Sequence, residues 1–524
     1  MKITDEILSG RCSLGIEFGS TRIKTVLIKS DNSPIASSSY AWNNEIVDGY
    51  YSYSTENIFK GLSISYSRLK RDIEDKYDIK IKKLKAIGIS AMMHGYMAFD
   101  EDDNLLVPFR TWRNTNTEEA SKKLSELFDY SIPIRWSISH YYQCILNGEE
   151  HVNKVKKLNT LSGFIHNKLT GNFVLGIGDA SGMFPIDSSI NDYNQKFIEK
   201  FDRLTGMKTS LSQILPKVMV AGQIGGFLSK SGALLIDEEG DLEDGILMCP
   251  PEGDAGTGMV STNSVRINTG NVSAGTSVFA MIVLDKKLSK RYDKLDIVST
   301  PDGKPVAMAH SNNCTGEYDS WISIFKEVIN LTGNTISMPE LYDKILMEAL
   351  KGDSDCGGIL SYNYLSGEPM TDLSDGRPMV CRTLNSNFNL ANFMKSQLYT
   401  SLCALRIGLD ILTQEENIKV KSITGHGGFF KTEIVGQTVM ANAIDVPINL
   451  VESSGEGGAW GIAILADYVG EKKQLEDYLD SSVFSNSKKK TVNPKKEDVE
   501  GFNKFLEMYK NSLELQKIAA KCVN

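Results

Sequence analysis

One carboxylate in this chain stands among glycines, at Gly253-Asp254-Ala255-Gly256, directly after the Pro250-Pro251 break. Glycines let a backbone come close to a ligand, so Asp254 can sit at the lip of a cleft. A few residues on, Ile267–Thr269 and Val278–Ile282 read as two apolar strands around a Gly275-Thr276-Ser277 turn. Such a turn aims backbone N–H groups and short hydroxyls at one spot, which suits a phosphate. Taken alone, these strings describe an ordinary loop and an ordinary hairpin. A second copy of the hairpin changes that reading. Residues 14–28 repeat the plan of apolar strand, Gly19-Ser20-Thr21 turn and apolar strand, 256 residues before the other. The separation is too long for a solenoid repeat and points to two related halves, each with a phosphate-binding turn.

Glu17 precedes the first turn inside an apolar strand. A carboxylate there is costly unless it meets a cation or a polar partner, and Mg²⁺ on nucleotide phosphates would satisfy it. His94 follows the apolar run 84–90 and is flanked by Met93, Gly95 and Tyr96, a mixed lining that suits a small-molecule pocket. Trp112 divides evenly between a half-buried aromatic and a sugar-stacking ring.

The elements that must position these groups alternate between strand and helix, which makes the chain α/β. The spacing of Ile58, Leu62, Tyr66 and Leu69 predicts a helix over 55–77 with one buried face. The run 84–90 reads as a buried strand that ends in the loop 91–96, where open α/β sheets bind ligands. Helices are expected near 193–204, 225–236, 319–331, 339–351, 390–414 and 432–444. A strand is expected at 246–249, another at 421–424 and another at 446–451. The stretch from Ser453 through Gly458 should open an apolar helix, 459–469. Residues 482–498, with Lys488-Lys489-Lys490, read as a polar linker, and 499–520 as a terminal helix.

A chain of 524 residues should hold two domains or more. A formal charge of −9 without a dense basic cluster argues against a nucleic-acid partner. The eight cysteines are scattered with no CxxC pair, so neither a disulfide framework nor a zinc site is expected. Residues 1–6 lack a signal-peptide core and no apolar run approaches 18 residues, from which a cytoplasmic protein without membrane spans is expected. No P-loop string occurs; Gly455-x-Gly457-Gly458 only approaches a dinucleotide fingerprint and is better explained by close helix packing.

Together these motifs resemble the FGGY carbohydrate kinases, relatives of actin, hexokinase and the Hsp70 ATPase. The two turns stand in the order of that family's phosphate loops. Met92-Met93-His94-Gly95 is similar to the substrate loop of its xylulokinases, and Lys168-Leu169-Thr170-Gly171 and Asp179-Ala180-Ser181-Gly182 recur in the same first domain. The resemblance implies two ribonuclease-H-like domains with a cleft between them, over 1–258 and 259–485, followed by a linker and terminal helix over 486–524. It implies ATP-dependent phosphorylation of a hydroxyl on a ketose or polyol, with Asp254 as general base. Met93, His94, Trp112 and Asn114 would join Asp254 in binding a xylulose-like sugar. Gly19, Ser20, Thr21, Lys24, Gly275, Thr276, Ser277, Gly427, Gly428 and Asn442 would bind ATP, with 457–459 a further adenosine stretch, and Glu17 would hold Mg²⁺.

Glu17 stands where the family has Asp, and Trp112-Arg113-Asn114-Thr115-Asn116 lacks the acid and arginine of the xylulokinase pattern. Those departures keep a second reading open, a catalytically weakened sugar- and ATP-binding sensor of the same fold. A third, an ATPase with a protein client, leaves Met93-His94-Gly95 unexplained. Whether the terminal helix docks on its own chain or forms a homodimer is left open.

Overall fold

A computed structural model describes residues 2–432, 434–451 and 457–523. The described chain forms two compact units. The first holds 2–265, 290–306 and 457–487; the second holds 266–289, 307–451 and 488–523.

The sheet of the first unit grows from the hairpin β1 (Ser13–Phe18) and β2 (Arg22–Ile28), extended on one side by β3 (Pro34–Ala41). On the other side β1 pairs in parallel with β4 (Ala86–Ala91). The strand β5 (Gly226–Phe227) pairs with β6 (Leu247–Met248), giving the order β5-β6-β4-β1-β2-β3, and β7 (Glu252–Gly253) pairs with the C-terminal end of β4. The crossover to β4 is the helix Thr55–Tyr77. Ser54 caps it by accepting the Asn57 N–H at 3.2 Å, and Ile58, Leu62, Tyr66 and Leu69 are its buried face, as their spacing predicts.

The second unit repeats this plan. The strands β8 (Thr269–Ala274) and β9 (Val278–Val283) form a hairpin, followed by β10 (Pro305–Ser311), β11 (Ser422–His426), β12 (Ile448–Val451) and β13 (Lys489–Val492). The strand Asp296–Ser299 forms the edge of this sheet beside β10, and the order inward from it is β10-β9-β8-β11-β12-β13. Thus β3-β2-β1-β4-β6 and β10-β9-β8-β11-β12 match in order, which answers to the two related halves.

The structure differs from the sequence expectations in several places. The helix expected at 225–236 starts only at Lys230, after β5. The helix Gly457–Asp467, expected in the second domain, belongs to the first unit. Nearly every residue of it is buried, so it must be covered by a sheet, and it packs on β1, β4 and β2. Gly15 on β1 and Gly88 on β4 make this approach available, because a Cβ on either would strike the helix. Next, 482–498 is not all linker, since β13 pairs antiparallel with β12, Val451 facing Lys489. Lysines that read as a solvated connector are also what exposed edge strands carry. The strand expected at 267–269 lies at Thr269–Ala274, where Asn271 and Ser273 mask its apolar character.

The terminal helix is two, Lys496–Asn511 and Glu514–Cys522, and they dock on their own unit. Phe502 and Phe505 pack edge-on against Tyr399. Beyond the turn at Ser512, buried Gln516 accepts the Arg377 N–H at 2.8 Å. All eight cysteines are free, and no described helix is long and apolar enough to cross a membrane. The Ser453–Glu456 part of the expected glycine stretch lies outside the described residues.

Candidate active site

Asp254 opens the helix Asp254–Ser261 directly after β7, whose pairing with Ser90 and Ala91 holds it beside the end of β4. The loop that leaves β4 returns to meet it: the Met93 N–H donates to Asp254 Oδ1 at 3.2 Å. Gly253 is required here, since a Cβ would collide with the Met93 side chain. His94 turns the loop with φ 68°, a left-handed conformation that is uncommon for a non-glycine residue and typical of functional sites. Its Nδ1 lies 3.2 Å from the Gly182 carbonyl and its ring stacks on buried Trp136 at 6.4 Å. Burial, reinforced by the nearby Arg135 charge, lowers the His94 pKa to about 3, so the ring is neutral. A carbonyl at Nδ1 assigns the hydrogen to that nitrogen, which leaves Nε2 as an acceptor.

Four carboxyls share this end of the sheet, and burial raises all of them. Asp254 is raised to about 6, Asp179 to about 7 and Glu252 to about 8. Asp179 is fully buried and accepts from Thr160 Oγ1 at 2.7 Å and Ser162 Oγ at 2.5 Å. Glu252, also buried, takes the Gly178 and Asp179 N–H groups at 3.2 and 3.0 Å, capping the turn Ile177–Ala180, which has no side-chain cap of its own. Glu252 therefore locks the Asp179 turn to the strand that leads into Asp254. In the sequence Asp179 stands in a recognisable string without an assigned role, and Glu252 is not singled out. A Glu two residues before Asp254 is the one available signal, and its partners lie more than 70 residues away.

Glu17 is the fourth carboxyl, raised to about 7 by burial and then by the Asp254 charge. It faces Lys24 on β2 and Ser90 on β4 in register, and its Oε2 accepts the Ala459 N–H at 3.2 Å. The expected adenosine stretch 457–459 thus lies against Glu17, with Gly458 too close to its carboxylate to carry a Cβ. Two half-buried carboxyls that repel one another form an oxygen donor set suited to a hard divalent cation, so the residues fit Mg²⁺.

In the turn after Glu17 the carbonyls are engaged. Trp42 Nε1 donates to Gly19 O at 2.8 Å, Tyr53 OH to Ser20 O at 2.6 Å and Trp42 N–H to Thr21 O at 3.1 Å. The amide edge and the hydroxyls of Ser20 and Thr21 are what such a turn offers an anion. Trp112, 39 % exposed, donates from Nε1 to Ser20 Oγ at 3.2 Å, which ties the expected sugar residue to the phosphate turn. Asn114 is different. Its amide is committed to the chain, donating to Tyr51 O and Thr111 O at 3.0 Å and accepting the Tyr51 N–H at 2.9 Å. It clamps the Trp112 turn, and the expected direct contact with sugar is corrected to that role.

In the second unit the turn Gly275–Ser277 also has its carbonyls engaged, Gly275 O by Thr315 N–H at 3.0 Å and Thr276 O by Cys314 N–H at 2.9 Å. Gly427, at φ 102°, lies so close to the Ala274 backbone that no Cβ fits, which brings Gly427 and Gly428 to the base of this turn. Asn442 is corrected. It is buried, accepts the Lys495 N–H at 2.8 Å and donates to Asp498 at 3.2 Å, so it anchors the C-terminal helix.

Comparison with known proteins agrees with this layout. Residues 12–237 match the N-terminal domain, and residues 270–469 the C-terminal domain, of the FGGY family of carbohydrate kinases. The chain is 20 % identical over 518 residues to a xylulose kinase of Haemophilus influenzae, covering 95 % of this chain and 98 % of that one. It is 22 % identical over 475 residues to a gluconokinase of Bacillus subtilis, covering 88 % of each. Its fold superposes on a ligand-bound xylulose kinase of Lactobacillus acidophilus with a TM-score of 0.78, at 16 % identity over 98 % of this chain and 99 % of that one. With both domain models matched in order along most of its length, the chain belongs to the FGGY family of carbohydrate kinases.

Proposed function

We propose that this kinase transfers the γ-phosphoryl group of ATP to a hydroxyl of a ketose or polyol, with Asp254 as general base. The observation that carries the reading is Asp254 itself. It is oriented by the Met93 N–H at 3.2 Å and raised to about 6, where a carboxylate is ionised at neutral pH yet basic enough to take a hydroxyl proton. Asp254 removes the proton as the substrate oxygen bonds to the γ-phosphorus. The bond to the bridging oxygen breaks and ADP leaves with the electron pair.

His94 Nε2 accepts a second substrate hydroxyl, and Trp112 offers an apolar ring face. The turns Gly19–Thr21 and Gly275–Ser277, with Lys24, are assigned to the nucleotide phosphates, and Gly427-Gly428 to adenosine. Glu17 would hold Mg²⁺, which when bound neutralises phosphate charge. Relatives named for xylulose and gluconate support a five- or six-carbon acceptor.

The test is ADP release from ATP and Mg²⁺ across a panel of ketoses, polyols and sugar acids. One class should stimulate release, and Asp254→Asn should lower that turnover by roughly 10²–10⁴-fold while ATP still binds. Release indifferent to every sugar, or an active Asp254→Asn beside a dead Asp179→Asn, overturns the assignment.

A further inference from the structure

The segment 290–306 leaves the second hairpin and returns to the first unit. There it brings Asp296 into an ion pair with Arg135, two residues that are 161 apart in sequence. Both are partly open, at 24 % and 15 % side-chain exposure. The pair stands next to the residues assigned to substrate. Gly95 N–H donates to Arg135 O at 3.3 Å, Trp136 stacks on His94, and the Arg135 charge acts on the His94 ring. The loop Met93–Gly95 therefore meets Asp254 at one end and Arg135 at the other. The strand Asp296–Ser299 is fastened to the same place, because Ser299 N–H donates to Ser181 Oγ at 2.9 Å, next to the Gly182 carbonyl that holds His94.

We propose that the Arg135–Asp296 pair is a substrate subsite that reads adjacent hydroxyls at the end of the sugar remote from Asp254, and that it selects neutral ketoses and polyols over sugar acids. The inference rests on the kinase reading above. A guanidinium carries five donors in a fixed fork, more than one carboxylate oxygen can use, and Asp296 supplies acceptor lone pairs beside it. Such a pair suits a vicinal diol, one hydroxyl accepting from Arg135 while the other donates to Asp296. A sugar carboxylate would meet a guanidinium whose charge Asp296 already balances. The neutral His94 offers no compensation, so the two carboxylates would repel in a poorly solvated place. Asp296 is the selecting residue and Arg135 the binding one.

The experiment compares kcat/KM for ketoses, alditols and aldonates of matched chain length in the wild type, Arg135→Ala and Asp296→Asn. The KM for ATP, the Tm of each variant, and calorimetric binding of each sugar without ATP are measured alongside. The wild type should prefer the neutral compounds. Arg135→Ala should raise the KM of the preferred sugar by about tenfold, the scale of one or two lost hydrogen bonds, with the ATP KM retained and the Tm lowered because Asp296 loses its partner. Asp296→Asn keeps the shape but frees the guanidinium, and should raise the aldonate-to-neutral ratio of kcat/KM by about tenfold or more.

A wild type that prefers aldonates, or variants with unchanged KM and ratio, overturns the proposal. Should Arg135→Ala not fold, the ratio in Asp296→Asn decides alone. If no sugar stimulates ADP release, the kinase reading fails, and calorimetry still decides the subsite. Neutral-sugar binding lost in Arg135→Ala sustains it, and unchanged binding overturns it.

Discussion

The two hairpin turns follow one plan and are equipped differently. In the first unit the strand before the turn carries Glu17, two residues ahead of Gly19; the second unit has Ser273 at the same offset from Gly275. Glu17 faces Lys24 across its hairpin, whereas Ser273 faces Phe279. The first turn has its carbonyls held by Trp42 and Tyr53 side chains, the second by the Cys314 and Thr315 backbone. Both turns also close on themselves, the Gly19 N–H donating to Arg22 O and the Gly275 N–H to Ser277 O at 2.9 Å. Among the described residues, the strand before the first turn carries a carboxyl raised by burial and by the Asp254 charge, and the matching strand before the second carries none. A shared fold thus supplies the hairpin turn twice, while Glu17 and Asp254, to which the proposed function assigns the cation and the proton, stand beside one of the two copies.

That contrast can be broken by exchanging the stakes at the matching positions. Glu17→Gln should lower turnover by about 100-fold, the scale of losing one preorganised electrostatic contact, whereas Ser273→Ala should change it by less than about threefold. Glu17→Asp should bring no gain, because the Gly458–Ala459 helix start is fitted to the longer side chain. Undiminished Mg²⁺-dependent turnover in Glu17→Gln would remove the metal role and make the turns equivalent. His94→Ala comes next. Loss of its acceptor should raise the sugar KM by about tenfold without moving the ATP KM. A variant that instead loses ATP binding would make His94 a core residue.

The corrected asparagines sharpen the comparison through stability. Asn114→Ala in the first unit and Asn442→Ala in the second should each cost about 1–3 kcal/mol in denaturant unfolding, since buried partners lose their bonds. Asn442→Ala should leave the ATP KM unaltered; a rise in that KM would restore Asn442 to the nucleotide. A further effect expected is a slope in pH. Asp179 and Glu252 have native pKa values raised above their unfolded ones, so the native state binds more protons between the two. Their stabilising contribution is full below about pH 4 and is lost as pH rises through about 7 and 8. Asp179→Asn should flatten that loss, while activity in the wild type should fall below about pH 6 as Asp254 gains its proton. A stability profile without slope from pH 5 to 8 would mean the two carboxyls are not held as the geometry implies.

The sequence by itself determined the α/β class, the duplicated hairpins and the order of the motifs along the chain. Those features are local: strand periodicity, turn residues and the buried stripe of the helix Thr55–Tyr77 are set by neighbours within a few residues. It also singled out Asp254 and Glu17, because a carboxylate in an apolar strand or between glycines is anomalous in its own context, and His94, because it follows an apolar run among Met93, Gly95 and Tyr96. Tertiary structure alone decided what these residues meet. Asp254 is oriented by Met93, Glu17 is capped by Ala459, and Asp179 is locked by Glu252, each across more than 70 residues. The helix Gly457–Asp467 changed units because an apolar helix is indifferent, in sequence, to which sheet covers it. Asn114 and Asn442 read as ligands because an amide's capacity to bond is visible in sequence, while the backbone groups that already fill it are not. Arg135 and Asp296 left no trace for the same reason: an ion pair is a fact of distance, and the chain brings them together only after passing through the second hairpin.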